Sequence, residues 1–112
     1  MDTNSSLPLT EATFFILLCL STGPKHGYAI MKGVNQMSRG RITFSTGTLY
    51  GALKRLLDQQ WIARNGEEEE GENSRARKDY ELTDLGREVF NAEVTRMKDV
   101  VQLALSMNPG EA

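Results

Sequence analysis

The chain has 112 residues, 39% of them hydrophobic and 25% charged. That fits one folded domain and excludes two domains or a disordered chain. One cysteine, Cys19, excludes an intramolecular disulfide and a cysteine-based zinc site, and one histidine, His26, leaves little for metal or acid–base chemistry. The only dense apolar run, Phe14–Leu20, is far shorter than the roughly 20 residues of a membrane span. The start, Met-Asp-Thr-Asn, lacks the basic residues of a secretory leader, so a soluble, cytoplasmic protein is expected.

The formal charge of −2 conceals a segregation. From Lys25 to Arg64 there are seven basic residues and one acid, Asp58, a net +6. The remainder carries six basic and fourteen acidic residues, a net −8. An approaching polyanion responds to the local field, so an acidic average does not exclude one.

Residues 1–8 are small and polar and read as a flexible tail. A first helix is expected over about Leu9–Ser21, with Thr10 as N-cap and Glu11 in its first turn. Its apolar residues run all round, the mark of a buried helix. Gly23-Pro24 ends it. A second helix is predicted over Gly27–Met37, with Ile30, Val34 and Met37 as its apolar stripe. Ser38-Arg39-Gly40 breaks it, and Arg41–Phe44 reads as a short strand. The third helix is the clearest. Ser45 or Thr46 caps it, and Leu49, Ala52, Leu53, Leu56 and Leu57 follow the i, i+3, i+4, i+7, i+8 pattern. Its other face carries Thr48, Gly51, Lys54, Arg55 and Asp58, with Tyr50 at the flank.

Trp61–Arg64 reads as a strand, and residues 65–76, with four consecutive glutamates, as an exposed charged loop. Arg77–Leu82 alternates like a returning strand. Thr83 then caps a long helix over residues 84–107. Phe90, Val94, Met97, Val101 and Ala104 are spaced 4,3,4,3, a coiled-coil-like seam that Val89, Val100 and Leu105 widen. Residues 108–112 form a second tail.

This order gives a mainly α fold with a small β-hairpin: a winged helix-turn-helix over residues 9–83, followed by a long C-terminal dimerisation helix. In such folds the third helix enters the major groove of DNA and the hairpin, or wing, lies along the backbone or minor groove.

Four ordered motifs carry a resemblance. They are His26-Gly27-Tyr28; Gly47-Thr48-Leu49-Tyr50-x-x-Leu53-x-x-Leu56; Trp61-Ile62; and Arg77-Lys78-x-Tyr80-x-Leu82-Thr83-x-x-Gly86. Together they resemble the PadR family of bacterial transcriptional regulators, in its short subfamily with one helix after the wing. The resemblance implies a homodimer that binds an inverted-repeat operator, usually as a repressor. It also implies that the last helix makes much of the dimer interface, and that a hydrophobic or phenolic compound releases the DNA. Thr46 and Gly51 stand where the family often has proline, and Glu67–Glu70 puts like charge where a wing tip would meet phosphate.

The expected DNA-binding residues are Ser45, Thr46, Thr48, Tyr50 and Lys54 on the third helix, Arg75, Arg77 and Lys78 on the return side of the wing, and Lys25. Early helical amides and hydroxyls suit phosphate, Lys54 adds charge, and the Tyr50 ring can pack on a sugar or a thymine methyl. The expected dimer residues are Phe90, Val94, Met97, Val101, Ala104 and Leu105. Trp61, Phe90 and Met97 are the candidate effector-pocket residues, with core and interface packing as the plainer account of each. His26 reads as a helix cap, Tyr28 as a core or hinge residue, and Cys19 as an inert buried thiol. No cofactor, metal or catalytic residue is expected. A second reading of the same chain is a winged-helix protein–protein module without DNA binding, favoured by the acidic wing and opposed by the +6 segment.

Overall fold

The structure is a computed structural model and describes residues 6–65 and 79–108. Seven elements follow one another: α1 (Glu11–Leu20), β1 (Lys25–His26), α2 (Gly27–Met37), α3 (Thr46–Asp58), β2 (Ile62–Asn65), β3 (Asp79–Leu82) and α4 (Asp84–Met107). The three strands form one antiparallel sheet in the order β1-β3-β2, with Ile62 opposite Leu82 and Lys25 opposite Tyr80. The mainly helical winged-helix architecture with a long last helix is therefore present.

Each helix starts where a side chain can take up a free amide. Thr10 Oγ1 accepts the Thr13 N–H at 3.2 Å, and Ser45 Oγ accepts the Thr48 N–H at 3.2 Å. His26 Nδ1 accepts the Ala29 N–H at 3.2 Å, which is the cap role expected of it. Thr83 Oγ1 accepts the Gly86 N–H at 2.9 Å and donates to the Gln60 carbonyl, which fastens the root of α4 to the end of α3.

The core gathers one face of each helix and the inward residues of β2 and β3. Ile16, Leu17 and Leu20 of α1 meet Ile30 and Val34 of α2, Leu49, Leu53 and Leu56 of α3, and Trp61, Ile62, Tyr80 and Val89. Leu7, within the expected tail, packs against this cluster. Gly86 sits so close to the Trp61 carbonyl that a Cβ there would overlap its oxygen. Only glycine lets α4 begin directly behind the wing.

One expectation needs correction, and one strand is added. Residues 41–44 are not a strand. Their polar groups are taken by side chains instead of a neighbouring strand: the Ile42 N–H bonds to Ser38 Oγ at 3.0 Å, and Asn35 Nδ2 donates to Thr43 Oγ1 at 2.9 Å. The strand that completes the sheet is β1, whose two residues are too short to show any alternation.

The protein is elongated, 59 × 34 × 21 Å with a radius of gyration of 16.0 Å, against about 13 Å for a compact chain of this length. α4 contributes to this length. Its first half is anchored through Val89 and Glu93, while every residue from Lys98 to Asn108 is exposed. Glu93 is almost fully buried, and its carboxylate accepts the Leu9 N–H at 2.8 Å and two N–H groups of Arg96. The Arg96 guanidinium, helped by the Leu9 amide, holds the Glu93 carboxyl below the usual carboxylate range against the opposing effect of burial.

Candidate nucleic-acid interface

Helix α3 is divided along its length. Leu49, Ala52, Leu53 and Leu56 are buried, so Ser45, Thr46, Gly47, Thr48, Lys54 and Arg55 face solvent. The Ser45 hydroxyl also donates to Thr48 Oγ1 at 2.9 Å, which orders the first turn. The amides and hydroxyls at this end form a polar surface of the kind that receives phosphate or base edges. Lys54 lies one turn further on. Its nearest acid, Asp58, is 4.0 Å away and both groups are exposed, so this pair does little to neutralise it.

The structure treats the other expected contacts differently. Lys25 is half-buried, and its ammonium donates to Thr22 Oγ1 at 2.7 Å and the Gly23 carbonyl at 3.4 Å. It is engaged in the turn between α1 and β1. Arg75, Arg77 and Lys78, with the glutamate run, lie outside the described residues. Tyr50 stands at the edge of the polar face, 45% exposed, with its ring over the first residue of α2. Arg64 on β2 is exposed and lies opposite the buried Tyr80. Burial pushes the Tyr80 phenol up, and the Arg64 guanidinium partly opposes that.

Tyr28 corrects the sequence reading, because it is 64% exposed and not a core residue. The helical wheel gives the reason. Ile30 and Val34 face the core, and a residue two before Ile30 points about 200° away from it. Tyr28, Lys32 and Asn35 share that outer face and, with Thr43 and Phe44, line a depression of about 240 Å³ beside the start of α3. A tyrosine, a lysine and an amide on one exposed face adjoining α3 enlarge the polar surface. The i, i+4, i+7 spacing of these three was the available signal.

At the other end, Phe90 is half-buried and stacks on Phe14 with ring centroids 5.4 Å apart. Val94, Val101 and Leu105 are exposed by 39%, 54% and 45%, and Ala104 is also exposed. Met97 lines a hollow of about 280 Å³ with Leu9, Phe14, Phe15 and Arg96. Trp61 belongs to the core and borders a different hollow, beside Ala52 and Gln59. Cys19 is buried, and desolvation pushes its thiol up despite the charge of Lys25, which disfavours the reactive thiolate. Among the described residues no acidic, cysteine and histidine side chains group as metal ligands, and no helix is long and apolar enough to cross a membrane.

Comparison with known proteins agrees with this architecture. Residues 16–92 match the family described as "Transcriptional regulator PadR-like family". A 37.1 kDa protein in transposon TN4556 of Streptomyces fradiae is 37% identical over 87 residues. That match covers 78% of this chain and 23% of the transposon protein, so the chain spans about a quarter of its relative's length. The fold is similar to that of a PadR family transcription regulator from Clostridium difficile, with a TM-score of 0.68 and 23% identity over 88% of this chain and 98% of the other. A transcriptional regulator from Clostridium thermocellum gives 0.65 at 22% identity, over 84% of this chain and 89% of the other. At such identities the structures speak for the fold, and the family match over most of the core speaks for descent: the chain belongs to the PadR-like family of transcriptional regulators.

Proposed function

We propose that this protein is a homodimeric repressor that binds an inverted-repeat DNA operator and acts by binding, not by catalysis. The observation that carries the reading is the division of α3. Its apolar side is spent on the core, and its polar side, with exposed hydroxyls and Lys54, is open within a segment of net +6. Such a surface suits the major groove, which admits one helix. Ser45, Thr46, Thr48, Tyr50 and Lys54 meet the DNA there. Arg75, Arg77 and Lys78 supply phosphate contacts from the wing, and Lys25 joins them from its turn.

The dimer forms through α4. Val100, Val101, Leu103, Leu105 and Met107 are all at least 45% exposed, a cost that burial against a second copy removes. Phe90, Val94, Met97, Val101, Ala104 and Leu105 supply the seam. A two-fold dimer presents two copies of α3, which explains an inverted-repeat target. A small hydrophobic or phenolic effector fits the hollow bordered by Phe14, Phe15 and Met97, where a flat ring meets aromatic and thioether surface.

The test is selection of duplexes from a random-sequence library by the intact protein, followed by titration at several salt concentrations. An enriched inverted repeat, bound with an affinity that falls steeply with salt, is expected. No enrichment and no salt-sensitive binding would overturn the reading. That outcome would favour the protein-interaction module to which Glu67–Glu70 points.

A further inference from the structure

Gly27 is the first residue of α2, and it is buried. A Cβ placed there would lie 2.5 Å from Tyr50 Oη, 3.0 Å from Cζ and 3.3 Å from Cε1. The Tyr50 ring of α3 therefore rests directly on the α2 backbone, in a space that exists because residue 27 has no side chain. Immediately before Gly27 the chain is β1, one of the two edge strands of the wing sheet. Lys25 of β1 pairs with Tyr80 of β3, and Tyr80 pairs on its other side with Arg64 of β2. Tyr80 is buried and His26 caps α2, so the segment between the ring seat and the sheet is held at both ends. The result is a continuous path from the reading helix, through the Tyr50 ring and Gly27, to all three strands.

We propose that Tyr50 is a positioning residue whose ring, seated on Gly27, fixes the angle between α3 and the wing sheet, and that operator discrimination depends on that seat. This rests on the DNA-binding reading above. The physical reason lies in the tolerance of the two kinds of contact. Base-edge hydrogen bonds need donor–acceptor distances near 2.7–3.2 Å and good alignment. Attraction to phosphates falls off slowly and survives a small rotation. An α3 that has lost its seat therefore loses discrimination first and keeps its salt-dependent affinity for any duplex.

The probes are a duplex selected by the parent protein and a scrambled duplex of the same composition. Gly27→Ala, which adds one methyl beneath the ring, is expected to reduce the operator-to-scrambled affinity ratio about tenfold, with helix content, dimer mass and salt slope unchanged. Tyr50→Ala loses at least as much, because it removes the ring's own contact with DNA as well as the seat. The double variant is no worse than Tyr50→Ala alone, because the methyl has nothing left to displace; independent effects would multiply to about a hundredfold. Should Gly27→Ala fail to fold, comparison of Tyr50→Ala with the double variant still decides. Equal discrimination supports the seat, and a further tenfold loss overturns it. A Gly27→Ala protein that folds and discriminates like the parent also overturns it. If the parent itself prefers no sequence, it is the DNA-binding reading that fails.

Discussion

Helices α3 and α4 are both amphipathic, but they leave opposite faces uncovered. In α3 the apolar face is buried within the protomer and the polar face is open. In the last ten residues of α4 the apolar side chains themselves are open, including Leu103 at 60% and Met107 at 71% exposure. The difference lies in what each helix packs against. α3 packs against α2 and β2 with its apolar face in the shared core, whereas α4 runs past the end of a core too small to cover it. An open polar face beside basic residues suits a polyanion, and an open apolar face suits another protein surface, most simply a second copy.

The root of α4 is the most sensitive point of the fold. Gly86→Ala puts a methyl into the Trp61 carbonyl and should cost about 3 kcal/mol or more, since the obstacle is backbone and cannot swing aside. Thermal unfolding should then shift down by more than about 10 °C. Met97→Glu with Val101→Glu should convert the proposed dimer to monomer in sedimentation and abolish tight binding to the proposed operator, because buried unpaired charge costs several kcal/mol. An unchanged dimer mass would remove α4 from the interface.

Glu93 sharpens the contrast between the two halves of α4. Its carboxyl is held low by Arg96, with help from the Leu9 amide. A carboxyl depressed on folding contributes its full stability above the unfolded pKa, about 4.3, and loses it as pH falls through the lower folded value. Glu93→Gln should therefore be less stable by about 1–3 kcal/mol at pH 7. That gap should narrow in denaturant melts carried below about pH 4. The smallest effect is expected at α3. Lys54→Ala should flatten the salt dependence of DNA binding by about one unit of slope and weaken all sequences alike.

Periodicity alone made α2, α3 and α4 legible, because each has one face committed to a partner. Caps made their starts legible, because Ser45 and Thr83 stand where free amides need an acceptor. The candidate DNA surface on α3 followed from the same pattern, since the face opposite Leu49, Leu53 and Leu56 had to meet something other than the core. Tertiary structure decided the rest. Only three-dimensional pairing could make a strand of Lys25–His26 and deny one to residues 41–44, because a strand is defined by its neighbour and not by its own residues. Tyr28 faces out because the core claimed Ile30 and Val34, and Tyr50 rests on Gly27 because the chain folds one helix across another. Local pattern says which face of a helix is buried; which side chain lands on which backbone depends on contacts far apart in the chain, and those exist only once it has folded.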